Sequence, residues 1–341
     1  MDFLVTMDLT TWQGMRARDP RRLTLGSAQW GMPYGIANRV GPPGDEALDA
    51  MLARAREAGV LAIDTARAYA ESETRIGRAL RDAPSSEGWR VITKLAPDVH
   101  EPGIGIADCL ERVSDSLTES RTALGRDALP VVLLHRFAHR HACGGKLWRT
   151  LLAERDAGRI GQLGVSAGTP EEAWAALDDP DVEVLQVASS LLDLRLVRQG
   201  FFPRARELGR TIYVRSVFLQ GVAHLDPTTL PAFLAPAAEA LGTIHAAASR
   251  LDVTPRALFL AFARELLPGA HPIIGCETEC QLAELLADWS DERIDVAALA
   301  QLVEALPTLE ADVVDPSRWP TRGSQPTANQ TTPGSIATIR C

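Results

Sequence analysis

Four side chains in this sequence combine types and spacing suited to moving a proton: Asp64, Tyr69, Lys94 and His135. Asp64 closes the short apolar run L-A-I-D, and Tyr69 follows five residues later in T-A-R-A-Y. A carboxylate at a strand end with a phenol on the next loop reads as a proton-transfer pair. A free tyrosine has a pKa of about 10, too high to exchange protons readily near neutrality. An ammonium such as Lys94, itself held by Asp64, is expected to favour the phenolate and lower that pKa. Tyr69 would then act as general acid or base, with His135 as a hydrogen-bond donor to a reacting oxygen. The competing structural readings are a packed Tyr69, an ordinary Asp64–Lys94 ion pair and a core His135.

Those residues need elements to hold them. The run Leu23–Gly31 reads as a strand ending in a glycine, and residues 44–59 as a helix stopped by Gly59. Val60–Asp64 is a strand, and Ser72 is expected to cap a helix through Leu80. The alternation repeats with the strand Arg90–Leu95, the helix Ile106–Leu124, the apolar strand Leu129–His135 and the helix Lys146–Ala157. It goes on with the strands Ile160–Ser166, Val182–Ser189, Thr211–Phe218 and His271–Gly275. The helices between them are one opened by the capping box Thr169–Glu172, the helix Arg195–Leu208, and an Ala-rich insertion over Pro227–Arg250. A further helix starts at Thr254-Pro255, another is capped by Thr278 and Gln281, and Asp295–Leu306 is amphipathic. Eight strand–helix units in one chain predict a single-domain (β/α)₈ TIM barrel over residues 23–306, after an extension over 1–22. Residues 307–341 form a tail, expected to be disordered from about Pro320. No G-x-G-x-x-G follows the first strand, which argues against a dinucleotide-binding open sheet.

In a barrel the C-terminal strand ends carry the chemistry. Asp64, Lys94 and His135 sit at three successive strand ends, with Tyr69 on the loop after the first of these. The segments L-G-S-A-Q-W-G, I-D-T-A-R-A-Y, I-T-K-L, L-L-H-R and G-V-S together resemble the aldo-keto reductase family, roughly from Leu23 to Leu306. The runs M-P-Y-G-I-A-N and V-R-S-V-F-L-Q-G resemble a bacterial branch that often acts on sugar-like or secondary-metabolic substrates. The resemblance implies reduction of an aldehyde or ketone, with Asp64, Tyr69, Lys94 and His135 as the catalytic four. It implies Ser166 and Gln186 at the nicotinamide carboxamide, Arg215 in place of the usual ring-stacking aromatic, and Ser216 at a phosphate. Gly275, Thr278 and Gln281 fall where the adenosine end would bind, and Gln29 and Trp30 where the substrate pocket would lie. It also implies NADP(H) ahead of NAD(H). Yet Gly275 and Gln281 stand where the family often has Lys and Arg, beside Glu277 and Glu279. The other readings are a barrel lyase or isomerase using Lys94, and a nucleotide-sensing subunit without turnover.

The resemblance implies a small-molecule carbonyl compound as the partner, and composition speaks against other partner classes. The net charge of −9 and pI near 5.4 argue against nucleic acid and acidic membrane surfaces. There is no run long enough to span a membrane and no basic-then-apolar leader, so a cytoplasmic site is expected. Five scattered cysteines fit a reducing compartment, with Cys276 and Cys280 expected as free thiols. His135, His139, His141 and Cys143 have ligand types without a standard zinc spacing, so no metal is expected.

Overall fold

A computed structural model describes residues 18–38, 41–82 and 88–320 of the chain. Eight parallel strands close in sequence order: β1 (Thr24–Gly26), β2 (Ala62–Asp64), β3 (Arg90–Lys94), β4 (Leu129–Leu134), β5 (Ile160–Ser166), β6 (Val184–Ala188), β7 (Thr211–Arg215) and β8 (Ala270–Gly275). Closure places Gly26 opposite Gly275 across β1 and β8. Helices pack outside the strands, so the fold is the (β/α)₈ barrel that the alternation predicts. The expected disorder beyond Pro320 and the extension before residue 18 lie outside the described residues.

The inward-facing residues make the barrel a filled core. Ala62, Ile92, Val131, Leu133, Val184 and Tyr213 cluster inside, with Ile273 packed against them. Arg90, the first residue of β3, donates to the Tyr213 hydroxyl at 3.0 Å and also bonds Gln162. That polar plug is satisfied internally and closes one end, which leaves the mouth at the opposite strand ends for ligands.

Local chemistry sets several element boundaries. Gly125 ends the helix Ile106–Leu124 in the left-handed conformation at φ 63°, as a C-terminal glycine does. The stretch expected as one helix from Arg195 to Leu208 is instead two, Arg195–Arg198 and Phe201–Glu207. Gly200 between them has φ 75°, outside the helical range, so the backbone turns there. The Thr169 cap is also partial. Its hydroxyl accepts from the Glu172 N–H, but the Glu172 carboxylate reaches Gly168 rather than the cap residue. At the far side, the Thr278–Gln281 capping box is complete. Beyond the last long helix, Val296–Ala305, a short turn of helix over Ala311–Val314 buries Val313 and Val314.

Candidate active site

Asp64 and Lys94 end adjacent strands, and their side chains meet at the mouth of the barrel. The Lys94 Nζ donates to Asp64 Oδ1 at 2.7 Å and to the Thr65 carbonyl at 2.9 Å. Gln186, from the middle of β6, donates its amide to the same Asp64 oxygen at 2.6 Å. Lys94 is only 1% exposed, so the pair is buried and its charges must satisfy each other. The Tyr69 hydroxyl lies 3.5 Å from Lys94 Nζ, and the ammonium sits 5.0 Å from the centre of the phenol ring. His135 completes the group, its ring edge-on to Tyr69 with centroids 6.3 Å apart. The structure thus brings together all four residues singled out from the sequence.

The loop carrying Tyr69 is fixed by bonds that the sequence motif does not reveal. A buried chain of hydroxyls runs from Thr65 to Ser72 at 3.1 Å, from Ser72 to Ser27 at 2.7 Å, and from Ser27 to the Asp64 carbonyl at 2.8 Å. Ser72 is therefore a buried link that begins the helix Ser72–Asp82 rather than a residue capping it from outside. Glu73, 1% exposed, accepts from Thr93 at 2.6 Å, Ser120 at 2.9 Å and Arg67 at 2.6 Å. These bonds join the Tyr69 loop to β3 and to the helix Ile106–Leu124. Gly31 leaves room for the same loop, because a Cβ there would collide with the Tyr69 carbonyl and lie 2.6 Å from the Ser72 nitrogen. Ser27, Thr65, Arg67 and Glu73 escaped the sequence reading because each meets a partner distant in the chain or hidden by the turn.

The electrostatics correct one expectation. The Tyr69 pKa moves up from its ordinary value, not down: burial is the largest cause, the Asp64 charge adds to it, and Arg215 opposes. The Lys94 ammonium is committed to Asp64 and Thr65 and lies toward the ring, so it does not offset desolvation of the phenolate. Lys94 itself is pushed down by burial, against the pull of Asp64. His135 is lowered to about 3, first by burial and then by Lys94, Arg136 and Arg215, so its imidazole is neutral at physiological pH. Its Nδ1 is buried without a hydrogen-bond partner. A phenol and a neutral imidazole facing each other can both present a proton to an oxygen placed between them.

The remaining candidates divide. Ser166 is buried at the end of β5, and Gln186 is tied by its amide nitrogen to Asp64, which leaves its oxygen for a ligand. Arg215 ends β7 and donates to the Ala167 carbonyl at 3.1 Å and weakly to Ser216 at 3.5 Å. Ser216 has φ 62°, a strained value for a residue with a side chain. Gly275 is covered by Gln29, whose amide fills the space a Cβ would need. Trp30 is not a pocket wall: it is 0% exposed and donates its indole N–H to the Cys276 carbonyl at 3.0 Å, tying the β1 loop to β8. Thr278 and Gln281 are consumed by their capping box, in which Gln281 accepts from Glu277 at 2.7 Å and Thr278 at 3.3 Å. The backbone N–H groups of Glu277, Thr278 and Gln281 are thereby engaged within the chain rather than open to a phosphate. Glu277 beside it has its carboxyl pulled up by burial.

Two further groups of candidates resolve plainly. Among the described residues no set of three or more His, Cys, Asp and Glu side chains converges as a metal site. His139 instead packs edge-on against His100 at 5.9 Å, and His141 against Phe137 at 6.2 Å. Cys276 is a free, buried thiol, whereas Cys280 is disulfide-bonded. The expectation of two free thiols fails at Cys280 because that side chain bonds elsewhere, not to its neighbour.

The β1 and β7 loops meet over the mouth. The Ile36 N–H donates to the Gln220 carbonyl at 2.9 Å, and the Gln220 side chain hydrogen-bonds Tyr34. Gly35 and Gly221 have φ 91° and 96°, and a Cβ on Gly221 would lie 2.7 Å from that of Ala37. Only glycine tolerates both the conformation and the closeness at that position. The runs M-P-Y-G-I-A-N and V-F-L-Q-G are therefore two halves of one structure.

A closed (β/α)₈ barrel with an ionisable cluster at its C-terminal mouth is the architecture of a barrel enzyme. The sequence profile of the Aldo/keto reductase family matches residues 22–306. The chain belongs to that family, and so to the oxidoreductases that act on carbonyl and alcohol groups with a nicotinamide cofactor. No curated protein matches it. The fold is similar to that of the aldo-keto reductase AKR11C1 from Bacillus halodurans in its holo form, at TM-score 0.66 and 15% identity over 86% of this chain and 95% of that one. It is also similar to the glycerol dehydrogenase AKR11B4 from Gluconobacter oxydans, at TM-score 0.64 and 19% identity over 83% and 90% of the two chains. At these identities the likeness concerns the fold.

Proposed function

We propose that the protein reduces an aldehyde or ketone to an alcohol, with NAD(P)H as hydride donor and Tyr69 as general acid. The observation that carries this reading is a protonated phenol held 3.5 Å from a buried Lys94–Asp64 pair, facing a neutral His135. A bound nicotinamide supplies the hydride; the protein's part is to receive the oxygen. As negative charge grows on that oxygen, the Tyr69 hydroxyl donates its proton and His135 donates a hydrogen bond. The phenolate left behind lies beside the Lys94 ammonium, and Asp64 with Gln186 holds that ammonium in register. The raised phenol pKa keeps the donor protonated across neutral pH, the state that reduction requires.

Ser166, the Gln186 oxygen, Arg215 and Ser216 line the strand ends where the nicotinamide half would be held. At the adenosine end Gly275, Thr278 and Gln281 supply no cation, and Glu277 and Glu279 stand close in sequence. NADP(H) is the family default, but these residues offer its extra phosphate no cation, so we propose that it is preferred over NAD(H) only by a small margin. A charged hydrogen bond to the extra phosphate is worth about 1.5–3 kcal/mol, and without one the preference should stay below about tenfold. A Schiff-base lyase using Lys94 fits the site poorly, because that amine is buried and engaged twice.

The test is Tyr69→Phe. It should bind each nucleotide as the parent does, by tryptophan fluorescence, while kcat on a carbonyl panel that includes keto-sugars falls about 10²–10⁴-fold. Turnover at the parental rate would remove Tyr69 from the mechanism.

A further inference from the structure

The plug at the base of the barrel meets its hydrogen bonds toward the interior, but its charge is left unmatched. Arg90 reaches across the lumen from β3 to the Tyr213 hydroxyl on β7 at 3.0 Å and to Gln162 on β5. Those bonds use Nε and Nη2. A guanidinium carries five N–H donors, so the outer side of this one still has donors to give. Arg90 is half-buried, and its Nη1 is neither bonded nor sealed from solvent. Among the described residues no carboxylate pairs with it. The groups around it are donors or cations as well. Tyr213 is 2% exposed, and its hydroxyl accepts from Arg90 and keeps its own proton to donate. The Gln162 oxygen is taken by Arg90, which leaves the amide NH₂ as a further donor. The Tyr213 ring packs against His271 of β8 with centroids 5.3 Å apart, and the charges around His271 are those of Arg22 and Arg90. Arg90, Gln162 and Tyr213 come from three of the four odd-numbered strands, the set that shares a layer in such a barrel. β1, the fourth, turns Thr24 inward, since Leu25 beside it packs in the outer core. Thr24 is 0% exposed, and its hydroxyl has no partner.

A half-buried cation among hydrogen-bond donors, with no carboxylate bonded to any of them, is stabilised by taking up an anion. We propose that the base of the barrel binds a small inorganic anion, held by the Arg90 guanidinium and the Tyr213 hydroxyl. The site lies toward the N-terminal ends of the strands, away from the Asp64–Lys94 cluster at the mouth, and it does not depend on the reductase reading. That face of a barrel serves stability rather than chemistry, so the anion acts on the fold: it neutralises the plug and braces β3 and β7 from below.

The probe is chloride, with sodium gluconate holding the ionic strength constant. Excess chlorine NMR line width on the full chain should saturate with a half-point on the order of 10 mM, the strength of one charge-assisted hydrogen bond. By linkage the parent should melt about 3 °C higher at 100 mM chloride than at 1 mM. Arg90→Gln should weaken binding by about tenfold or more and flatten that rise, while Arg90→Lys should keep part of both. The line width is read with and without saturating NADPH, which covers the cationic groups at the mouth. Broadening that NADPH abolishes belongs to the mouth and overturns the proposal. A parent with no excess width overturns it too, as does an Arg90→Gln variant that broadens the line as the parent does. Should Arg90→Gln fail to fold, Tyr213→Phe decides: it should weaken binding by about threefold or more, and parental affinity there overturns the assignment.

Discussion

Replacing Asp64 with asparagine keeps the shape of the side chain and removes the charge that balances Lys94. In the parent that ammonium is 1% exposed and has the carboxylate at 2.7 Å and the Thr65 carbonyl at 2.9 Å. The substitution leaves a buried cation facing neutral groups, and breaking a buried pair this way costs about 3–5 kcal/mol. For a domain of this size, at about 2 °C per kcal/mol, melting should fall by about 6–10 °C at pH 7. The cost should also depend on pH in a definite direction. Burial already lowers the Lys94 pKa from its ordinary 10.5, and Asp64 is the group that raises it most, so the variant lowers it further. Between the folded and unfolded pKa values the unfolded chain binds more protons, so stability rises with pH through that window. Melting of Asp64→Asn should therefore recover relative to the parent as pH is taken from 7 toward 10. Replacing Lys94 with methionine in the same variant removes the orphaned charge and should restore most of the loss, though not activity. Thermal melts of the parent, the single variant and the double variant across that range test the argument. A single variant melting within 2 °C of the parent, or a double variant no more stable than the single, would refute it; both limits are rough readings of the same scale.

Histidines held neutral by burial should weaken the fold on the acid side. His135 is lowered to about 3 and His271 to about 4, so below pH 6.5 the unfolded chain takes up protons that the folded chain refuses. Stability should be full above pH 6.5 and drop toward pH 4, each ring contributing at most about 1.4 kcal/mol per pH unit, as read from melts at constant ionic strength. For the same reason kcat/KM should show no break near pH 6.5 from His135. Gly31→Ala pushes a methyl group into the Tyr69 loop and should lower kcat by tenfold or more, roughly judged, while nucleotide binding is kept. An unchanged kcat would mean that the loop tolerates displacement.

How much of this was legible in the sequence follows from which residues obey a rule of position. Asp64, Lys94 and His135 lie at or just after strand ends, and the barrel's topology brings such residues together whatever surrounds them. The tuning of Tyr69 was not legible, because its sign depends on burial and on where the Lys94 ammonium points. Gln186 as a second donor to Asp64 joins positions 122 apart, and no local pattern announces it. Trp30 was misread because a tryptophan after a strand end can face the pocket or the β8 carbonyls equally well in sequence. The break at Gly200 was hidden by the apolar spacing on either side of it. Thr278 and Gln281 were correctly read as a cap, and the same bonds remove them from the list of groups open to a phosphate.

The joined loops over the mouth set a rule for anyone who would alter this enzyme. The Ile36–Gln220 bond and the contact of Gly221 with Ala37 mean that neither segment keeps its shape if the other is exchanged. In a chimera the two must travel as one cassette. Moving either alone would leave an unmatched seam above the reaction chamber, and drift in one segment during evolution should be answered by drift in the other.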